Sequence, residues 1–121
     1  MFGHYLPQDM CRGYNHDLMD IKILSEKMHN FVNSRGWYLD DSIHPQTLRN
    51  LAISLNLEAS EVLENFQWNE LPGRTDELAA ELADVALYLF QIANVAGIDL
   101  EKAILKKLED NYGRIWTRGN E

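Results

Sequence analysis

The sequence of 121 residues has little cysteine and little positive charge, and each shortage argues against a class of protein. Its single cysteine, Cys11, cannot form an intramolecular disulfide, which is typical of proteins from reducing compartments. The 11 Lys and Arg against 19 Asp and Glu give a formal net charge of -8 at pH 7. Because a protein that coats nucleic acid needs a basic face, we expect no nucleic-acid partner.

The sequence also lacks a long uninterrupted hydrophobic run. No apolar stretch approaches the roughly 18 residues of a membrane-spanning helix. Residues 1–17 lack the apolar core of a signal peptide, so we expect a cytoplasmic protein without a membrane partner. The 45% hydrophobic and 25% charged residues are typical of a folded chain. This length suits one domain, part of whose core a second subunit can share.

Hydrophobic periodicity predicts an all-α fold. Residues 1–16 show no period and are predicted to form an irregular N-terminal arm, whereas residues 17–121 are predicted to form one helical domain. No segment shows the alternation that is typical of a strand. Four predicted helices run from a capping Asp17 to a stop at Gly36, from Pro45 to about Phe66, from a capping Thr75 to a stop at Gly97, and from a capping Asp99 to about Ile115.

The second and third predicted helices each carry two acids three residues apart, Glu58 with Glu61 and Glu81 with Asp84. Residues at this spacing share one face of a helix. Glu58 continues the apolar stripe of the second helix, and Glu81 continues that of the third. Because buried carboxylates without partners are costly, the compensating partner that we expect is a cation.

The chemistry of these acids favours a hard divalent cation. At about 100° per residue, Glu77 and Tyr88 share one sector of the third helix with Glu81 and Asp84. If the second and third helices are antiparallel neighbours, the carboxylates converge. Oxygen ligands without His or Cys favour Mg²⁺, Mn²⁺ or Ca²⁺ over zinc, and Mg²⁺ prefers a phosphate as a further ligand. A di-iron carboxylate bundle normally uses Glu-x-x-His, which neither helix contains.

Each of these features also has a structural interpretation. The motifs Glu-x-x-Glu and Glu-x-x-Asp are common in helices and also occur on solvent-exposed helix faces. Trp37 and Trp68 flank the second helix and belong either to the core or to a nucleobase-stacking slot, and Tyr88 either binds phosphate or packs. His29 is interpreted as a surface or packing residue. A basic and amide stripe that can hold a polyphosphate or a base comprises Lys107, Asn111 and Arg114.

Three segments together resemble the MazG-like nucleoside triphosphate pyrophosphohydrolases of the all-α NTP pyrophosphatase superfamily. They are LEASEVLENFQW at 57–68, ELADVALYL at 81–89 and KLEDN at 107–111, with Arg114 beyond. The ending Phe66-Gln67-Trp68 and the loop at Trp37 are most similar to the dCTP pyrophosphatase branch. The resemblance covers about residues 18–116.

The resemblance implies a four-helix bundle-like MazG fold, assembled as a homodimer or homotetramer with pockets built across subunits. It implies hydrolysis of an NTP or dNTP, such as dCTP, to the monophosphate and pyrophosphate, in nucleotide house-cleaning or pool control. The implied ligands of Mg²⁺, for which Mn²⁺ can substitute, are Glu58, Glu61, Glu81 and Asp84, and a metal-activated water would attack the α-phosphorus. The implied nucleotide pocket comprises Trp37, Trp68, Tyr88, Lys107 and Asn111. The competing hypothesis is a non-catalytic helical interaction module with solvated acidic faces.

Overall fold

The fold is known from a computed structural model that describes residues 19–71 and 73–114. It contains four helices, α1 (Ile21–Ser34), α2 (Leu48–Glu64), α3 (Thr75–Val95) and α4 (Leu100–Gly113). The described ranges contain no strand, so the predicted all-α class is confirmed. The predicted arm at residues 1–16 and the predicted cap Asp17 lie outside the described residues.

Side-chain caps set the start of α1 and α2 later than the sequence predicted. The Asp20 side chain accepts the Ile23 N–H at 2.8 Å, so Asp20, and not the predicted Asp17, is the N-cap of α1. The Thr47 hydroxyl accepts the Asn50 N–H at 3.1 Å. The prediction that α2 begins at Pro45 was therefore wrong, because Thr47 supplies the capping oxygen two residues later.

The starts of α3 and α4 contrast in their capping. Asp99 accepts the Lys102 N–H at 3.0 Å and is the N-cap of α4, as predicted. The predicted cap Thr75 is instead the first residue of α3, and the N-cap Arg74 makes no side-chain capping bond. Asp76 lies in the first turn of α3, where its negative charge is favourable at the positive end of the helix dipole. It also pairs with Arg74 at 2.9 Å.

The predicted glycine stops end α1 and α3. Gly36 and Gly97 adopt φ of +70° and +71°, a left-handed conformation that glycine adopts without strain. After α1, the Gly36 N–H donates to Asn33 O at 3.0 Å and the Trp37 N–H donates to Val32 O at 3.4 Å. This pair of bonds closes the helix in a Schellman motif and fixes the backbone that carries Trp37.

Helix α3 packs against both α2 and α1, and α1 also contacts α4. Two contacts show that α2 and α3 are antiparallel. Asn65, just after α2, bonds to Glu81 near the start of α3, whereas Gln46, just before α2, bonds to Gln91 near the end of α3. The antiparallel arrangement on which the predicted acidic site depends is therefore present.

The hydrophobic core of the single chain is small. Its buried apolar residues are Met28, Val32, Leu51 and Ala93, and Leu51 is only 2% exposed. On α3, Leu82 and Leu89 remain 51% and 42% exposed within one chain. Helices α1 and α2 cover one side of α3, and no described helix of this chain covers the other.

By length and composition alone, α3 is apolar enough to cross a membrane. The core helix of a helical bundle meets the same two conditions. In addition, α3 carries Glu81 and Asp84, and carboxylates are costly in hydrocarbon. The absence of a membrane partner stays a prediction.

Candidate active site

The four predicted acids come together where α2 faces α3. Burial raises the pKa of the Glu58 carboxyl, and the neighbouring acids Glu61, Asp84 and Glu81 raise it further. The Oε2 atom of Glu58 is buried and has no hydrogen-bond partner. A buried carboxylate oxygen that is unpartnered and close to three further acids favours the binding of a cation.

The donor set of this acidic cluster, Glu58, Glu61, Glu81 and Asp84, fits a hard divalent cation because every donor is a carboxylate oxygen. Within 19–71 and 73–114, no three acidic, histidine or cysteine side chains lie close enough together to hold a metal ion in the present conformation. The residue types and the buried oxygen of Glu58 fit such an ion.

Asn65 restrains one of the acids. Its Nδ2 donates to Glu81 Oε2, and it also contacts the carbonyl oxygens of Glu61 at 3.1 Å and Val62 at 3.3 Å. The last turn of α2 thereby holds a carboxylate of α3. Sequence reasoning missed this contact, and its signal was an amide four residues after Glu61, where α2 ends.

A cavity of about 640 Å³ adjoins the acidic cluster and shares Asp84 with it. Its volume lies within the range of small-molecule sites. Aromatic rings form part of the wall, and they belong to Phe31, Trp37, His44 and Tyr88. The Trp37 ring packs edge-on with Phe31 at 5.7 Å and with His44 at 6.5 Å between centroids. The cavity therefore presents flat aromatic surfaces beside a strongly acidic edge.

Amide side chains provide the polar part of the cavity wall, and sequence reasoning missed them. Gln91, only 4% exposed, donates from Nε2 to Gln46 Oε1 at 2.6 Å. Gln46 in turn donates from Nε2 to the His44 carbonyl oxygen at 2.6 Å. The signal in the sequence was Gln91 itself, an amide within the apolar second half of the third helix.

The single chain places only some of the predicted nucleotide-binding residues in this cavity. Trp37 and Tyr88 lie in its wall. Trp68 is 85% exposed and does not line it. Lys107 and Asn111 lie on α4, which packs against α1, and they do not line it either. The binding roles of these five residues stay predictions.

His29 packs as the sequence interpretation had it. Its Nδ1 lies 2.5 Å from the Tyr38 hydroxyl, and its Nε2 contacts Asn94 Nδ2. Burial lowers the pKa of His29, which favours the neutral ring at neutral pH. These contacts join the end of α3 to α1 and to the loop that follows α1.

Comparison with known proteins gives consistent relatives. Residues 53–119 match the MazG-like family. The chain is 33% identical over 93 residues to dCTP pyrophosphatase 1 of Rattus norvegicus, covering 69% of this chain and 52% of that protein. Over 40 residues it is 48% identical to a dATP/dGTP diphosphohydrolase of Salmonella phage PMBT28, covering 33% of this chain and 14% of the relative. The chain thus spans about half the length of the dCTP pyrophosphatase that it matches.

A solved structure extends the likeness to nearly the whole described fold. A pyrophosphatase from Archaeoglobus fulgidus DSM 4304 superposes with a TM-score of 0.65 at 32% identity, covering 81% of this chain and 94% of that one. The family match includes all four acids of the cluster and most of α2, α3 and α4. The chain belongs to the MazG-like family.

Proposed function

We propose that this protein is a Mg²⁺-dependent nucleoside triphosphate pyrophosphohydrolase that converts a (d)NTP to the (d)NMP and pyrophosphate. The observation that carries the proposal is the buried, unpartnered Oε2 of Glu58 among three further acids, beside a cavity with which the cluster shares Asp84. A cation at the acids and a base in the cavity would place a triphosphate at their boundary.

The cavity supports the nucleotide part of this proposal. Flat rings such as Trp37 and Tyr88 offer stacking surfaces, and the amides Gln46 and Gln91 offer hydrogen bonds to a base. Relatives named as a dCTP pyrophosphatase and a dATP/dGTP diphosphohydrolase support a deoxynucleotide, of which dCTP is the leading example. Nucleotide house-cleaning or pool control would be the corresponding role.

The acids would hold the metal through Glu58, Glu61, Glu81 and Asp84. A bound Mg²⁺ would neutralise phosphate charge and lower the pKa of a bound water. The chain itself orients the acids, because Asn65 holds Glu81 and the α2–α3 packing buries the Oε2 atom of Glu58. Asp84 belongs to both the acidic cluster and the cavity wall, so it would lie between the base and the phosphates.

A homodimer or homotetramer would complete the site. Leu82 and Leu89 lie seven residues apart on the uncovered side of α3, and Tyr112 on α4 is 89% exposed. Exposed apolar side chains grouped on one helix face are typical of an interface between subunits. A second copy packed there would also allow Lys107 and Asn111 to approach a cavity that they do not reach within one chain.

The competing function is a non-catalytic helical interaction module. It requires acids that are solvated and have no ligand. Glu58 opposes it, because burial raises the pKa of its carboxyl whereas a solvated carboxylate has no such burial.

The first prediction concerns stability without and with metal. Glu58→Gln should raise the melting temperature of the metal-free protein by roughly 2–6 °C, because a buried charge close to other acids is removed. Millimolar Mg²⁺ should raise the melting temperature of the wild type through binding linkage and leave that of Glu58→Gln unchanged. Differential scanning fluorimetry in chelator and in Mg²⁺ measures both.

The exposed acid Glu64 on the same helix provides the control. Glu64→Gln should keep the wild-type response to Mg²⁺. Equal stabilisation of the wild type and Glu58→Gln by Mg²⁺ would contradict Glu58 as a ligand.

The second prediction concerns the reaction. With Mg²⁺ and each dNTP, the purified protein should release pyrophosphate and the monophosphate, measured by coupled pyrophosphate detection and ion-exchange chromatography. Loss of a residue that hydrogen-bonds to a metal ligand typically costs about 10–100-fold in activity, so loss of a ligand itself in Glu81→Gln should cost at least about 100-fold. Glu77→Gln, one turn earlier on α3 and paired with Arg74, should remain active.

Three results would count against this account of the reaction. Release of orthophosphate and diphosphate would mean that another bond is cleaved. Full turnover by Glu81→Gln would remove Glu81 from the ligand set. No product from any nucleotide at micromolar enzyme would favour the interaction module.

The third prediction concerns assembly. Size-exclusion chromatography with light scattering should give at least twice the chain mass of 14.0 kDa. Leu89→Asp should shift the protein towards the monomer, because it places a charge on the uncovered side of α3. Leu39→Asp, at a loop residue that is 63% exposed, serves as the matched control. A wild type that stays monomeric at all concentrations would contradict the shared site.

A further inference from the structure

Gln91 is the one buried polar residue among the described residues, and it lies in the wall of the cavity. Its position on α3 is one turn from Tyr88 and two turns from Asp84, so it lies further into the cavity than the acid. A buried amide in an apolar wall is costly unless its hydrogen-bonding groups are satisfied. The partners of Gln91 therefore show which of its groups remains for a ligand.

A backbone carbonyl fixes the direction of the amide chain. The His44 carbonyl oxygen can only accept, so the Gln46 NH₂ group must face it, at 2.6 Å. The Gln46 oxygen then points to Gln91 and receives a hydrogen from Gln91 Nε2 at 2.6 Å. The amide of Gln91 is consequently held with its NH₂ group towards Gln46.

Because its NH₂ group faces Gln46, the carbonyl oxygen is the remaining strong acceptor of the Gln91 amide. Gln91 lines the cavity, so this oxygen can accept a hydrogen bond from a ligand there.

We propose that Gln91 is a specificity-determining residue whose carbonyl oxygen accepts a hydrogen bond from the exocyclic amino group of the substrate base. This inference rests on the proposed nucleotide-hydrolysing function. Cytosine and adenine present an amino donor at C4 and C6. Their oxo counterparts, uracil and hypoxanthine, present an acceptor at the same position, which would leave two acceptors facing each other. Gln91 thus selects amino-bearing nucleotides over oxo-bearing ones.

The test uses substrate pairs that differ in this group and in the protonation of the ring nitrogen beside it, dCTP with dUTP and dATP with dITP. In the wild type, the amino member of the pair that binds should have a kcat/KM higher by on the order of 10- to 100-fold. Gln91→Met keeps the length of the side chain and removes the acceptor. It should bring the ratio close to one, mainly by lowering kcat/KM for the amino nucleotide. An unchanged ratio would overturn the proposal.

A further variant separates selectivity from a general effect of the substitution. Gln67→Met makes the same change at an exposed glutamine outside the cavity wall and should keep the wild-type ratio. If Gln91→Met does not fold, equal kcat/KM values of the wild type for both members of the pair overturn the proposal.

A binding measurement separates failure of this inference from failure of the proposed function. Isothermal titration calorimetry without metal compares dCMP with dUMP and dAMP with dIMP. If no triphosphate is hydrolysed, tighter binding of an amino nucleotide that is lost in Gln91→Met still supports the role of Gln91, while the hydrolase function fails. If hydrolysis occurs but both members of each pair bind equally to the wild type, the inference alone is overturned.

Discussion

The antiparallel packing of α2 on α3 is the constraint on which the rest of the structure depends. It buries Glu58 Oε2 without a partner and brings three further acids around it. It also joins Gln46 before α2 to Gln91 late on α3. In the proposed function, the same helix pair would provide a site for a cation at one point and a cavity for the base beside it. Stability and binding are in conflict here, because the charge that the cation needs is unfavourable without it.

The small core of the chain follows from the same arrangement. One side of α3 meets α1 and α2, while Leu82 and Leu89 on the other side remain exposed. A second subunit on that side would supply the burial that one chain of this size does not supply. In the proposed assembly the site and the subunit interface would be linked, since Lys107 and Asn111 do not line the cavity within one chain.

Much of the fold and the placement of each acid pair on one helix face could be predicted because both depend on local signals. The stops at Gly36 and Gly97 follow from the left-handed backbone, and the pairing of Glu58 with Glu61 follows from helical spacing. The predicted starts of α1 and α2 were wrong because several nearby side chains could cap each helix. Only the folded structure selects Asp20 and Thr47. Contacts such as Asn65 with Glu81 join residues from different helices, and spacing alone does not predict them.

The most direct test of the account is the position of a bound Mn²⁺ in crystals, found by anomalous diffraction at the manganese edge. The account predicts an anomalous peak in contact with Glu58 Oε2 and with carboxylates of both α2 and α3. A peak found only at exposed acids such as Asp76, or none at Glu58 in crystals soaked at millimolar Mn²⁺, would contradict a metal centre built by the packing of these two helices.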